Sequence, residues 1–289
     1  MKILLLGNTG QLGWELHRCL LPLGNVHAFD YPDINLAQPE SLRSLIRSIA
    51  PNVIVNAAAY TAVDKAETEH DSNFAINAES PGVMAEEAKS IGSIVVHYST
   101  DYVFDGTKGS LYEESDIANP LNAYGQSKLA GEKALQAVDG NYLILRTAWV
   151  YSNRRDSFVS KVLQWSRQNE VLKVVDDQVS NPTWARMLAE VTGLLLARGT
   201  EYIKDHKGLY HLAGSGYASR LDWAREILKL DNNPQEQKTR ETMPASTKDF
   251  PTPATRPLFS ALDCSKFEQS FNIRLPSWKL ALKLAMTSL

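Results

Sequence analysis

No apolar run in the 289 residues approaches the roughly 20 residues a helix needs to cross a bilayer, so no membrane partner is expected. The opening Met1-Lys2-Ile3-Leu4-Leu5-Leu6 stops at Gly7-Asn8-Thr9. That is too short for the apolar core of a secretory signal, and it reads as a buried first strand. Cysteine is nearly absent. Cys19 and Cys264 cannot frame a disulfide scaffold, which points to a reducing compartment and a cytoplasmic protein. Charge of one sign is lacking too: 30 Lys and Arg against 33 Asp and Glu leave a net −3. No basic field exists to attract nucleic acid, and no nucleic-acid partner is expected. The six histidines show no zinc-ligand spacing. His97 lies in an apolar run and reads as a satisfied core residue. A phosphoryl-transfer P-loop and a G-x-S-x-G nucleophile turn are both missing, which argues against a phosphoryl transferase and a hydrolase.

What is present is an ordinary globular composition, 44% hydrophobic and 22% charged, with a regular rhythm. Short apolar runs at Lys2–Leu6, Val26–Phe29, Val53–Val55, Ile94–Tyr98 and Tyr142–Leu145 read as buried strands. Between them Leu12–Leu21, Pro39–Ile49, Ser72–Ile91 and Ala123–Val138 carry helical periodicity. This alternation predicts an α/β fold, a Rossmann-type doubly wound parallel sheet. Residues 1–147 are expected to form the dinucleotide-binding part. Residues 148–289 are expected to form a smaller, discontinuous C-terminal substrate-binding part, with about 184–230 returning to the first. In that second part, helices are expected near Ser157–Gln168, Trp184–Ala197 and Ser219–Lys229, the last capped by Ser219, with a final helix from Pro276. Strands are expected near Leu172–Val175 and Gly208–Leu212. Four prolines between Pro244 and Pro257 suggest an ordered loop over a cleft.

Gly7-Asn8-Thr9-Gly10-Gln11-Leu12-Gly13 joins the first strand to the first helix. Gly7 permits a tight turn, Gly10 lets backbone approach a pyrophosphate, and Gly13 lets the helix pack close to the strand. The helix N-terminus then offers free N–H groups to phosphate. The spacing is G-x-x-G-x-x-G, and a plain tight turn is the alternative. Asp30 lies 17 residues after Gly13, at the end of the second strand. A carboxylate there accepts from adenosine ribose hydroxyls and favours NAD over NADP, since no arginine follows directly to hold a 2′-phosphate. Ala57, Ala58 and Ala59 after the third strand would let a dinucleotide lie against backbone.

Tyr124 and Lys128 stand four apart in a predicted helix and share one face. A neighbouring ammonium lowers a phenol's pKa, so the tyrosine could exchange a proton near neutral pH. Lys128 could also bind the nicotinamide ribose. Ser99-Thr100-Asp101 follows the fourth strand, at the crevice where such sheets bind ligands. A hydroxyl there could hydrogen-bond an oxygen that gains charge during hydride transfer. A helix cap is the alternative reading.

These residues resemble the extended short-chain dehydrogenase/reductase family. The segments carrying the resemblance are Val55–Glu67, Tyr98–Gly106, Pro120–Gly125 with Lys128, Arg146–Tyr151 and Pro251–Pro257. Within that family, the segment from Ser99 to Phe104 points to reductases of a dTDP-linked 4-keto-6-deoxy sugar. Epimerases and dehydratases usually look different there. The resemblance implies NADPH or NADH as cofactor and hydride delivery to C4 of a dTDP-sugar. Tyr124 would protonate the C4 oxygen, Lys128 would tune Tyr124, and Thr100 would polarise the carbonyl. Asp101 and Trp149 would contact the sugar. Gln11, Leu12, Asn35, Leu36, Tyr60, Thr61 and Tyr98 would join the cofactor site. Arg256, with Asn181 and Thr183, would meet the substrate diphosphate. Some members dimerise around Mg²⁺ held by glutamates. Glu15 matches, but Arg186 and Lys279 stand at the later positions, and basic groups cannot ligate a hard cation. No metal is therefore expected, and the chain is read as a monomer or homodimer. Two other readings stay open: a reductase of another nucleotide-linked keto-sugar, and a regulatory subunit that kept the dinucleotide fold without catalysis.

Overall fold

In the computed structural model, residues 1–287 are described. The last two residues of the expected 148–289 part lie outside them. Six strands form one sheet: β1 (Lys2–Leu6), β2 (Asn25–Phe29), β3 (Val53–Asn56), β4 (Ile94–Thr100), β5 (Asn141–Thr147) and β6 (Gly208–His211). All neighbours are parallel, in the order β2-β1-β3-β4-β5-β6. The order reverses between β1 and β3, which opens a crevice at the strands' C-terminal ends.

Side chains alternate along each strand and so feed two cores. Ile3, Leu5, Val53, Val55, Ile94 and Val96 face one layer, with α1 (Gln11–Leu20) and the helix Ala185–Ala197. Leu4, Leu6, Ile54 and Val95 face the other, with α2 (Pro39–Ile49) and α3 (Ser80–Ile91). The helix α4 (Ala123–Val138) packs on that second layer through Leu135.

A separate core gathers Tyr151, Val159, Trp184, Trp223, Ile227, Trp278 and Leu282. It joins the helices Phe158–Ser166, Arg220–Lys229 and Trp278–Met286. Ser219 caps the second of these by accepting from the Asp222 N–H. Within the stretch 184–230, the helix Ala185–Ala197 and β6 pack with the sheet, whereas Arg220–Lys229 packs in this separate core.

Two elements differ from the sequence pattern. The long helix expected over Ser72–Ile91 is broken into His70–Phe74, a π-helical stretch Ala75–Glu79, and α3. Pro81 has no N–H to give the Asn77 carbonyl, so the turn widens. Asn77 then clamps the Tyr60 backbone, accepting from its N–H and donating to its carbonyl. The proline-rich segment is not all loop either. Glu241–Ala245, including Pro244, pairs in parallel with Val171–Val175, a two-stranded ribbon in which a proline costs little.

Candidate active site

The glycine turn shapes the floor of the site. Gly7 has φ +84, and a Cβ there would lie 2.7 Å from the Ala58 nitrogen. A Cβ on Gly13 would fall 1.9 Å from the Gly7 carbonyl oxygen. Gly13 thus presses α1 onto the turn, and no side chain can intrude where α1 begins. Beside this turn lies a cavity of about 540 Å³, the size of a small-molecule site. Gly7, Gly10, Gln11, Leu12, Asp30, Asn35, Leu36 and Ala57–Ala59 line it, with Thr61, Tyr98, Tyr124 and Lys128. Gly13 and Tyr60 do not. Gly13 is packed against the turn, and the Tyr60 hydroxyl donates to Glu69 at 2.6 Å. A bare-backbone cradle at a helix N-terminus, opening on a cavity of this size, fits a dinucleotide.

Asp30 lines the cavity just after β2, and its carboxylate is already partly engaged. The Thr9 N–H and hydroxyl donate to one oxygen, and the Tyr31 N–H donates to the other. Arg155 donates to the Thr9 hydroxyl at 2.9 Å and lines the same cavity. An arginine is therefore present at this end, brought from far along the chain.

Strand β4 and helix α4 bring Thr100 against Tyr124, with Lys128 one turn further along α4. Asn122 caps α4 by accepting from the Gly125 N–H at 2.8 Å, which starts the helix just before Tyr124. A Cβ on Gly125 would lie 2.3 Å from the Tyr102 carbonyl oxygen, so α4 seats tightly against the segment after β4. Burial raises the Tyr124 phenol above its usual range, and a hydrogen bond with Thr100 pulls it back. Lys128 is 2% exposed. Burial lowers its ammonium to about 8, against the Glu132 carboxylate. Its Nζ donates to the Tyr98 carbonyl at 2.7 Å and lies 3.2 Å from His97 Nε2. The expected lowering of Tyr124 by Lys128 is absent from this arrangement, because Nζ is turned to His97 and the strand.

Four expected substrate contacts are otherwise occupied. Asp101 is 2% exposed, and its carboxylate accepts from Ser180 at 2.9 Å and Ser260 at 2.5 Å. It braces Thr100, whose hydroxyl donates to it at 3.2 Å. Asn181 is a buried clamp: it donates to the Gly214 and Gly216 carbonyls and accepts from the Leu262 N–H. Thr183 is fully buried between the Asn181 carbonyl and the Gly214 N–H. Arg256 makes a two-pronged pair with Asp64, at 3.1 and 2.8 Å, and also donates to Thr252 and the Ala254 carbonyl. It ties the proline loop to the segment after β3.

Residues that sequence reasoning missed stand nearby. The Arg220 guanidinium lies 3.6 Å from the centre of the Trp149 ring, and its environment includes Tyr102 and Asp101. Burial lowers it to about 10. Trp149 itself has φ +41 and stacks at 5.5 Å with Trp223. Tyr102 packs edge-on against Tyr124 with centroids 5.9 Å apart. Below the site, Glu132 accepts from Ser99 and from Arg146, at 2.9 and 2.7 Å. None of these pairings has a sequence signature, since each joins residues on different elements. Among the described residues, no group of three or more His, Cys, Asp or Glu could hold a metal ion. Arg186 pairs with Glu190 at 2.9 Å.

The whole chain, residues 1–289, matches the model of the family described as RmlD substrate binding domain. The chain belongs to this family. It is 42% identical to the dTDP-4-dehydrorhamnose reductase of Escherichia coli K12, over all of this chain and 98% of that protein. The reductase of the same name from Burkholderia thailandensis is 40% identical over 100% and 99%. Among solved structures, a dTDP-4-dehydrorhamnose reductase from Clostridium acetobutylicum superposes with TM-score 0.92 at 35% identity, covering 100% and 99% of the two chains. The Bacillus anthracis enzyme, in complex with NADP, gives 0.91 at 29% over the full length of both. A Thermus thermophilus UDP-glucose 4-epimerase, 19% identical, shares the fold with TM-score 0.80 over 99% and 98%. The doubly wound α/β architecture is therefore that of the family and its wider fold relatives. No helix among the described residues is long and apolar enough to cross a membrane.

Proposed function

We infer that this protein is an NADPH-dependent dTDP-4-dehydrorhamnose reductase, which converts the C4 keto group of dTDP-4-dehydro-L-rhamnose to the alcohol of dTDP-L-rhamnose. The observation that carries this reading is Tyr124 and Lys128 lining the glycine-floored cavity, with Thr100 hydrogen-bonded to Tyr124, in a chain matched end to end by reductases of that name. The same observation weighs against a regulatory subunit without catalysis, which would have no use for a half-buried phenol beside a threonine hydroxyl.

Bound NADPH supplies hydride to C4. The chain supplies the proton and the geometry. Tyr124 gives its proton to the developing C4 oxyanion, and its high pKa keeps it protonated until that charge appears. Thr100 turns its single hydroxyl proton from buried Asp101 to the same oxygen when substrate binds. Lys128 anchors the nicotinamide ribose. Asp30 and Arg155 share the adenosine end, where Arg155 suits a 2′-phosphate and Asp30 a hydroxyl, so both cofactors are accommodated. Residues 1–147, with the helix Ala185–Ala197 and β6, form the dinucleotide part. The remaining segments around Trp149 and Trp223 form the sugar-nucleotide part, placed in the cytoplasm with its substrate supply.

Arg220 takes the diphosphate role expected of Arg256, because Arg256 is already committed to Asp64. Arg220→Ala should raise KM for the sugar nucleotide about tenfold or more, the worth of a charge-assisted hydrogen bond, and leave the Kd for NADPH unchanged. An unchanged KM would remove Arg220 from the substrate site.

The reductase reading is tested by NADPH absorbance loss on adding enzymatically made dTDP-4-dehydro-L-rhamnose. Rapid oxidation is expected. Tight NADPH binding without oxidation would restore the regulatory reading, and faster oxidation with a different nucleotide keto-sugar would reassign the substrate.

A further inference from the structure

Behind Lys128 lie two buried polar side chains, in a row, that the reaction does not use directly. His97 on β4 and Asn56 on β3 are each 1% exposed. Asn56 Nδ2 lies 3.0 Å from His97 Nδ1, and His97 Nε2 lies 3.2 Å from Lys128 Nζ. The orientation of the Asn56 amide is fixed from its other end, since Oδ1 accepts from the Ala58 N–H at 3.1 Å. Nδ2, a donor, therefore faces His97. Nδ1 must then be the bare, accepting nitrogen.

Burial lowers the His97 pKa well below its usual value, so the ring is neutral and carries one proton. That proton is on Nε2 and points at Lys128. An ammonium has only donors and would meet a donor there. A neutral amine has a lone pair to accept from Nε2–H and still donates to the Tyr98 carbonyl.

We propose that Asn56 and His97 are positioning residues that fix one imidazole tautomer and so hold Lys128 as a neutral amine in the cofactor-free protein. The other groups around Lys128 do not reverse this. Glu132, one turn along α4, favours the ammonium, but its carboxylate is shared by Arg146 from β5 and Ser99 from β4. Tyr124, on the same helix face, is a neutral phenol. Burial already moves Lys128 downward, and Nε2–H moves it further the same way. A ligand that sets hydroxyl oxygens against Nζ reverses the preference and draws a proton onto Lys128. The positive charge would then arrive beside Tyr124 together with the cofactor, a step that rests on the reductase reading.

The first test needs neither substrate nor cofactor. Long-range proton–nitrogen correlation on ¹⁵N-histidine-labelled protein at pH 8, with His97 assigned by its loss in His97→Phe, reports the tautomer. Protonated Nε2 and bare Nδ1 are expected. A proton on Nδ1, or an imidazolium, would overturn the proposal. Asn56→Asp adds the discriminating variant. A carboxylate accepts from Nδ1–H, which leaves Nε2 bare for an ammonium. The tautomer should reverse, and the ¹⁵Nζ titration midpoint of Lys128 should climb by about one pH unit or more. An unchanged tautomer in that variant would equally refute it. These spectra stand or fall independently of turnover, so failure of the reductase reading is distinguishable from failure of this one.

Discussion

Tyr124→Phe should lower kcat by about 10²- to 10⁴-fold, the worth of a positioned general acid, with little change in NADPH affinity. The reasoning is local. Tyr124 is half-buried, its hydroxyl meets Thr100, and it sits on a helix whose start is fixed by Asn122 and whose packing is fixed by Gly125. Removing one oxygen leaves those constraints untouched, so the ring should stay in place against Tyr102. The protein should fold, bind cofactor and fail at the proton. Pre-steady-state absorbance with saturating NADPH separates the two effects. A variant with wild-type turnover would mean that the proton comes from elsewhere, with Thr100 or a water as the next candidate.

The second large effect concerns stability. Glu132→Ala should lower the free energy of unfolding by about 3–5 kcal/mol. Glu132 and Arg146 side chains are 1% and 4% exposed and form a two-pronged pair, with Ser99 donating to the same carboxylate. Their burial makes the pair a poor source of net stability. Breaking it is costly for a different reason: the Arg146 charge would remain buried without a partner. His211, 3.5 Å away, offers no compensation, since burial and Arg146 push its pKa down to about 3 and keep it neutral. Urea unfolding followed by tryptophan fluorescence reads the loss. Because Ser99 precedes Thr100, the variant should also lose turnover. A loss under about 1 kcal/mol would show that the arginine finds another partner and that the pair is not the strut beneath the site.

The strands of the sheet were legible because each is a short apolar run closed by a turn signal, and parallel strands buried on both faces read that way. The cofactor cavity was legible for a related reason. Gly7, Gly10 and Ala57–Ala59 act through the lack of a side chain, and a missing side chain is visible in sequence. Tyr124 and Lys128 were visible as a spaced pair on one helix. The sugar side was much less so. Arg256 looked free because Asp64, its partner, stands 192 positions earlier. Asp101, Asn181 and Thr183 are the types that touch phosphates and sugars, yet here Asp101 accepts from serine hydroxyls while Asn181 and Thr183 satisfy backbone groups. Polar residues that brace a site and polar residues that touch a ligand have the same composition. Only three-dimensional partners separate them. Arg155 makes the same point in reverse: no arginine follows Asp30 in sequence, but one reaches Thr9 from position 155. The π-helical break at Ala75–Glu79 was hidden because helical periodicity continues through it, and only Pro81 marks the place.

The most direct test of the central claim follows the hydrogen itself. NADPH deuterated at the transferable position should be mixed with dTDP-4-dehydro-L-rhamnose and the protein, and the product examined by NMR. The account predicts dTDP-L-rhamnose with one deuterium, at C4. Deuterium at another carbon, or a product formed without deuterium, would contradict it.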